Sequence, residues 1–183
     1  MTVDQTSRRH PRGLPPAALA LLMMLAWTGM GEARAMEKMC MFSGVQGVVT
    51  EQGKPVAGAL IERRFKWAWK GETGVDRTQT DAEGRFRLDP VWRGSLLGRL
   101  LPHEPSVEQE IRILHGNRSY VAWQFNGDSY KQDSELFGRP VRLRCDLASE
   151  ARAHLLEQHH VRHSIYGICD LEGVEDMRTR ATP

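Results

Sequence analysis

"TQTDAEGRFRL", residues 78–88, decides the predicted fold of this chain. A predicted strand ends at Thr80, and the residues that follow have turn chemistry. Asp81 is expected to cap the turn with its carboxylate, and Gly84 can adopt the positive φ that such a turn requires. Apolar and charged residues then alternate from Phe86 onward, which is typical of a half-buried strand. The stretch therefore predicts a β-hairpin.

The charged residues of this predicted hairpin have a functional and a structural interpretation. Asp81 and Glu83 could act as catalytic carboxylates, but their place within a four-residue turn indicates that they stabilise that turn. Arg85 and Arg87 alternate with apolar residues, which puts them on the solvent side of a strand. We predict no chemistry for these charges.

The period-two pattern recurs along the chain and predicts further strands. Arg63 interrupts the apolar side of one of them, so that strand is expected to enter the core only after this residue. Gly116 and Asn117 form a two-residue turn between two of the strands. In the last but one, Arg142, Arg144 and Asp146 alternate with apolar residues and are expected to face solvent. The ranges that show the pattern are 45–49, 61–69, 107–125, 141–147 and 164–171.

Residues 149–160, "SEARAHLLEQHH", differ from the predicted strands. Ser149 is a good N-cap, Ala and Leu are frequent and no proline intervenes, so the segment predicts a helix. The patterns together give seven or eight strands and one C-terminal helix. The predicted fold class is mostly β, a single antiparallel β-sandwich over residues 44–171.

The first 35 residues are typical of a secretory signal rather than of the sandwich. Three arginines in the first twelve residues precede an apolar run at 17–27, and Ala33 and Ala35 have the small-x-small spacing of a cleavage site. The alternative is a retained membrane anchor, but spanning a bilayer takes about 20 apolar residues. We therefore expect export to the periplasm or the medium, by either the general or the twin-arginine route, and no membrane span after cleavage.

Cleavage changes the charge balance of the chain. The predicted signal holds four of the 25 Lys and Arg residues and two of the 23 Asp and Glu residues, which leaves 21 of each sign. The mature chain is formally neutral, which argues against nucleic acid as a partner. Residues 36–43 are predicted to be a lead-in to the sandwich, and residues 172–183 a disordered tail.

Two segments, 47–64 and 78–88, resemble the carboxypeptidase regulatory-like, or transthyretin-like, β-sandwich module, which is also described as prealbumin-like or Ig-like. The resemblance covers residues 44–90, about a third of the mature chain. The chain as a whole resembles a family of exported bacterial proteins of unassigned role built on this module. The matching residues are Gly53, Pro55, Val56, Gly58, Ala59, Thr80, Asp81, Gly84 and Phe86.

This resemblance implies a fold more than a function. Such modules serve as add-on domains, adhesin stalks and transporter extensions, and they are usually not catalytic. The chain departs from the module by the extra helix and strand that follow it. A shared fold does not fix a function.

The three cysteines of the mature chain suggest one disulfide, because export leads to an oxidising compartment. Cys145 and Cys169 are the favoured pair, since each lies on the apolar side of a predicted strand. The alternative is two buried free thiols. Cys40 is then the odd cysteine, free or paired with another molecule.

Histidines and tryptophans are the remaining candidates for a site. On a helix His159 would share a face with His163, as would His160, which makes a zinc or copper site conceivable. A solvated helix end explains these histidines, and His154 before them, more simply. Tryptophans at alternating strand positions could stack on a sugar or fill the core, and the core role is the more common one. These tryptophans are Trp67, Trp69 and Trp123, with Trp92 as a fourth.

The sequence leaves three functions open. No nucleophile elbow, zinc-protease or phosphate-loop motif occurs, so we expect no enzyme and no cofactor. The first hypothesis is a non-enzymatic extracytoplasmic module that binds an envelope protein or a surface glycan. The second is a structural accessory domain without its own ligand, and the third is a metal-handling protein that uses the histidines.

Overall fold

The structure is a computed structural model that describes residues 38–94 and 102–178. The predicted signal peptide and its cleavage site lie outside the described residues. The chain divides into two units, Met1–Ala35 and Met36–Pro183, and the second contains all of the described residues.

Strands dominate the described residues, which contain thirteen of them, two short 3-10 turns and no α-helix. The 3-10 turns are η1 (Ser134–Leu136) and η2 (Glu175–Met177). Neither is long or apolar enough to cross a membrane. The strands are β1 (Lys38–Phe42), β2 (Val45–Glu51), β3 (Lys54–Pro55), β4 (Leu60–Trp67), β5 (Glu72–Gln79), β6 (Arg85–Leu88), β7 (Val91–Gly94), β8 (Val107–His115), β9 (Arg118–Gly127), β10 (Val141–Asp146), β11 (Arg152–Gln158), β12 (Val161–Gly167) and β13 (Cys169–Leu171).

The strands form two large sheets and one small one. The six-stranded sheet has the order β11-β12-β9-β8-β4-β5, with antiparallel neighbours. The five-stranded sheet has the order β13-β10-β2-β3, with β6 also paired to β2; here β10 runs parallel to β2. Strands β1 and β7 pair separately. Buried side chains of both large sheets, such as Ile61, Trp123, Val49 and Leu143, belong to one hydrophobic core, which is consistent with a β-sandwich.

The prediction of a hairpin at residues 78–88 is wrong, because β5 and β6 belong to different sheets. The turn chemistry itself is confirmed. The Asp81 carboxylate accepts hydrogen bonds from the backbone N–H groups of Glu83 and Arg85, at 3.0 and 2.7 Å. Gly84 has a φ of +74°, and its carbonyl accepts a hydrogen bond of 2.8 Å from the Val49 N–H. The segment is thus a crossing from one sheet to the other.

Thr80 fixes the point at which the chain leaves the six-stranded sheet. Its buried hydroxyl donates a hydrogen bond of 2.7 Å to the Val56 carbonyl and accepts one of 2.8 Å from the Ala59 N–H. Both partners lie on the segment between β3 and β4, so this side chain ties the crossing to the preceding connection. The role of Thr80 in this motif is therefore structural: its side chain binds backbone groups.

The predicted helix at residues 149–160 is also wrong, because strand β11 occupies its centre. His154 and Leu156 point into the core, and the strand pairs with β12 along its whole length. The prediction followed the local preference of Ala and Leu for helices, and the packing of a buried face against a neighbouring strand overrides such a preference. The turn between the two strands consists of His159 and His160.

Four smaller expectations also need correction. The lead-in at 36–43 contains β1, whose residues Met41 and Phe42 are fully buried. Arg63 is not outside the core: it is 1% exposed and forms an ion pair of 2.6 Å with Asp76. Residues 172–178 of the expected disordered tail contain η2 and two buried apolar side chains, and the rest of that tail lies outside the described residues. The strand count of seven or eight was too low.

Candidate functional site: an arginine face

The outer face of the five-stranded sheet carries four arginines, which we term the arginine face. They lie on β6 and β10, the two strands that flank β2, and their side chains alternate with buried ones. The pairing register arranges them in two rows that each cross β2. The rows are Arg87–Gln46–Arg142 and Arg85–Val48–Arg144.

The arginines are only loosely neutralised by acidic side chains. Arg87 contacts Asp89 at 3.2 Å, and the residues of this pair are 68% and 82% exposed. The ion pairs of the second row, Arg85 with Glu83 and Arg144 with Glu172, are longer, at 3.8 and 3.6 Å. Exposed ion pairs of this kind contribute little to the stability of the fold.

Arg142 is the exception on this face. Among the described residues it has no ion-pair partner, and its side chain is exposed. It lies beside Gln46, whose neutral side chain cannot balance the charge. The row through Gln46 therefore contains the one arginine of this face without an ion pair among the described residues, although Glu172 lies beside it, with its N–H bonded to the Arg142 carbonyl.

The arginine face lines an open groove of about 840 Å³. Among the described residues, three acids border this groove: Glu172 pairs with Arg144, Asp170 pairs with Arg152, and the carboxylate of Asp146 is occupied by hydrogen bonds within the protein. It accepts hydrogen bonds from the backbone N–H groups of Ala148, Gly53 and Gln52 and from the Thr50 hydroxyl, at 2.9–3.1 Å. The bonds from the Ala148 and Gly53 backbones, with the others, lower the pKa of Asp146 to about 2. This acid holds a turn and is not available to neutralise the arginines.

A second groove, of about 680 Å³, lies on the outer face of the six-stranded sheet and has a different electrostatic character. Its charged side chains pair closely with one another or with neighbouring side chains of the same sheet that lie outside the groove. Glu62 contacts Arg64 and Arg77 at 2.5 and 2.6 Å, and their hydrogen bonds, that of Arg77 first, lower its pKa. Lys66 and Glu108 pair at 2.8 Å. These pairs are 2.5–2.8 Å long, whereas those of the arginine face are 3.2–3.8 Å long and Arg142 has none among the described residues.

Comparison with known proteins places the chain in a family. The family model described as "Domain of unknown function (DUF6795)" matches residues 45–150, more than half of the chain. The chain belongs to the DUF6795 family. No curated protein and no solved structure matches it. The matched segment of this DUF6795 chain contains both rows of the arginine face, and β11, β12 and β13 follow it.

The tryptophans do not form the sugar-stacking platform that the sequence left open. In the DUF6795 chain Trp67 and Trp123 are fully buried, and the Trp67 indole N–H donates a hydrogen bond of 2.8 Å to the Tyr130 hydroxyl. Trp69 is 37% exposed, and its ring stacks on His103 with centroids 4.1 Å apart. Two of the three candidates are core residues because inward strand positions bury large aromatic side chains.

The four histidines of the DUF6795 chain do not form one cluster. His154 and His163 are buried, and a ring nitrogen of His163 shares a hydrogen bond of 2.9 Å with the Glu135 backbone carbonyl. His159 and His160 form the exposed β11–β12 turn with positive φ. Nowhere in residues 38–94 and 102–178 are three or more His, Cys, Asp or Glu side chains placed to hold a metal. The helical face that His159 and His163 were expected to share does not exist.

The predicted disulfide is present, since Cys145 on β10 is bonded to Cys169 on β13. Cys40 is a free cysteine, and it is buried in β1. Burial, together with the nearby charge of Glu135, raises the pKa of the Cys40 thiol to about 11. A buried, protonated thiol is a poor partner for an intermolecular disulfide.

The arginine face was missed at the level of sequence, where its members were assigned only to the solvent side of strands. A signal was present, because two strands each carry Arg-x-Arg around one apolar residue, at 85–87 and at 142–144. What the sequence did not show is that β2 lies between these two strands.

Proposed function

We propose that this protein is a non-enzymatic extracytoplasmic binding module with a transthyretin-like sandwich fold, and that its arginine face binds an acidic ligand of the cell envelope. The observation that carries the proposal is the arrangement of four guanidinium groups in two rows above a neutral floor. Charged groups that lack close internal partners are the ones that an oppositely charged ligand can engage. A surface glycan or an envelope protein with acidic groups has the required chemistry.

Export of the chain rests on three features. The basic start, the short apolar run and the Ala-x-Ala spacing are typical of a cleaved secretory signal. The boundary between the two units of the chain falls at Ala35, which is the expected cleavage position. The disulfide between Cys145 and Cys169 suits an oxidising compartment.

The sandwich assignment has its own support. The two large sheets with a common core are consistent with a β-sandwich, and the sequence resemblance over residues 44–90 supports the finer, transthyretin-like assignment. Such modules are mostly interaction or accessory domains, so a binding role is the function that fits both the fold and the arginine face.

Binding to an immobilised sulfated polysaccharide tests the proposal. The purified protein should bind dextran sulfate and not uncharged dextran in a biosensor measurement. The affinity should fall with rising salt, because exposed charges are screened over about 10 Å at 0.1 M ionic strength. A variant with Arg85, Arg87, Arg142 and Arg144 all changed to Gln should lose the binding.

A matched control removes the same number of positive charges elsewhere. Arg77→Gln, Arg112→Gln, Arg118→Gln and Arg162→Gln together change four arginines of the six-stranded sheet and leave the arginine face intact. This variant should retain most of the affinity. Equal loss in both variants would show that only net charge matters, and no binding by the wild type would favour an accessory domain without its own ligand.

A further inference from the structure

The open edges of the guanidinium groups indicate which acidic ligand the arginine face can bind. The ion-pair contacts of Arg87 and Arg144 with their acidic neighbours run from Nε, at 3.2 and 3.6 Å, and that of Arg85 runs from a terminal nitrogen, at 3.8 Å. Arg142 has no such contact among the described residues. Each arginine therefore keeps N–H donors that no carboxylate within residues 38–94 and 102–178 occupies.

The register of the strands sets the spacing of these donors. Neighbouring strands are about 4.8 Å apart, so the two arginines of one row start about 10 Å apart, on opposite sides of β2. Arginine side chains are long enough to meet above the central Gln46 or Val48. The two rows are two residues apart along the strands, which corresponds to about 7 Å.

A phosphate group fits between the arginines of one row better than a carboxylate does. A carboxylate has two oxygens in one plane and pairs best with a single guanidinium fork. A phosphate monoester has three free acceptor oxygens and a diester has two, and because they point to different sides of a tetrahedral phosphorus, one phosphate can accept hydrogen bonds from two guanidinium groups at once. Each row thus matches one phosphate, and the two rows match a pair.

We infer that the arginine face binds a ligand with two phosphate groups about 7 Å apart, one in each row. The inference rests on the proposed binding function of this face and narrows its ligand. The neutral floor of Gln46 and Val48 would contact the group that links the phosphates, which a sugar or a glycerol can provide. A phosphorylated glycan and the headgroup of a diphosphate lipid share this chemistry.

Calorimetric titration with three small probes tests the ligand class. Glucose 1,6-bisphosphate carries two phosphates on one sugar, glucose 6-phosphate carries one, and glucarate carries two carboxylates on a six-carbon chain. The purified protein should bind the bisphosphate saturably and about tenfold more tightly than either of the others, since one lost charge-assisted contact corresponds to about that factor.

Variants of the two rows test the assignment of one phosphate to each row. Arg87→Gln/Arg142→Gln and Arg85→Gln/Arg144→Gln should each reduce the affinity for the bisphosphate about tenfold, to that of the monophosphate. Arg118→Gln/Arg162→Gln removes two exposed charges outside the face and should leave the affinity unchanged. If only one of the two row variants lost affinity for the bisphosphate, the assignment of one phosphate to each row would be overturned.

Vesicles distinguish the two sources of the phosphates. Binding to vesicles with cardiolipin but not to pure phosphatidylcholine, with displacement by glucose 1,6-bisphosphate, would support the inference with a lipid as the source. Saturable binding of the bisphosphate without binding to cardiolipin would support it with a soluble glycan as the source.

Two further results would overturn the inference of a phosphate pair. One is that glucarate binds as tightly as the bisphosphate, and the other is that none of the three probes binds. The proposed function would then depend on the dextran sulfate measurement alone. In either case, binding of dextran sulfate that depends on the arginine face would still support the proposed binding function. If dextran sulfate does not bind, both the proposed function and the phosphate inference are rejected.

Discussion

Cys145 and Cys169 lie directly opposite each other on β10 and β13, and their sulfur atoms are bonded. The bond closes a loop with a sequence separation of 24 residues that contains β11 and β12. Cys169→Ser should lower the free energy of unfolding by about 3 kcal/mol, because the unfolded chain loses this constraint. Urea denaturation measures the loss, and hydrogen exchange should increase in β13 more than in β4.

A thiol count provides the control for the disulfide. Of the three cysteines, only Cys40 should react with a maleimide in denatured, unreduced protein from an oxidising compartment. Wild-type protein treated with a reductant should show the stability of the Cys169→Ser variant. Three reactive thiols without reduction would refute the bond.

Gly84, the single glycine of residues 78–88, is predicted to be hard to replace. A Cβ atom there would lie 2.3 Å from the Val49 carbonyl oxygen, and the φ of +74° adds strain for any other residue. Gly84→Ala should therefore destabilise the fold by about 2 kcal/mol more than Gly58→Ala, measured by thermal or urea unfolding. Gly58 is the matched control, since its φ is +71° but a Cβ atom added there would meet no other atom within 4 Å. Equal effects would mean that the close approach to Val49 is absent.

Asp146 should make stability depend on pH in the acid range. Its pKa in the folded state is about 2, below the usual value, because backbone N–H groups donate to the carboxylate. A lowered pKa means that the stabilisation is present above about pH 4 and is lost as the pH falls toward 2. Asp146→Asn should cost about 1 kcal/mol at pH 7. The difference between the two proteins in urea denaturation should shrink at pH 3, and a difference that does not depend on pH would contradict the assignment.

His154 should act in the opposite sense at mildly acid pH. Burial lowers its pKa, and the charges of Arg152 and Arg178 lower it further, while Asp170 opposes them. In the unfolded chain His154 binds a proton near pH 6.5, whereas in the folded chain it binds one only at lower pH. Stability should therefore fall as the pH drops below about 6.5. His154→Gln does not titrate, and its unfolding free energy should change less between pH 7.5 and 5.5. Equal pH dependence of variant and wild type would show that His154 is not the group responsible.

Much of the local structure could be predicted from the sequence because its signals are local. The alternation at 141–147 gave β10 with the correct inward side, and Gly116–Asn117 gave the β8–β9 turn. The disulfide combined such an alternation with the expected compartment. The turn chemistry of Asp81 and Gly84 was also correct, but it is the same whether the flanking strands pair with each other or enter different sheets.

The remaining features depend on contacts between distant parts of the chain. Residues 152–158 form a strand because they pair with β12, although Ala and Leu prefer helices. Arg63 lies in the core because Asp76 and two backbone carbonyls, those of Ser43 and Asp89, receive its guanidinium. The arginine face exists because β10 lies parallel to β2, which no local pattern reveals.

The central claim is that the arginine face is the binding surface, and an NMR map of the bound protein tests it most directly. Amide and arginine Nε resonances would be followed while dextran sulfate oligosaccharides are added to the purified protein. The perturbed resonances should cluster in β2, β6 and β10, with Arg142 among the most affected. Perturbations confined to β4, β8 and β9, the groove of the six-stranded sheet, would contradict it.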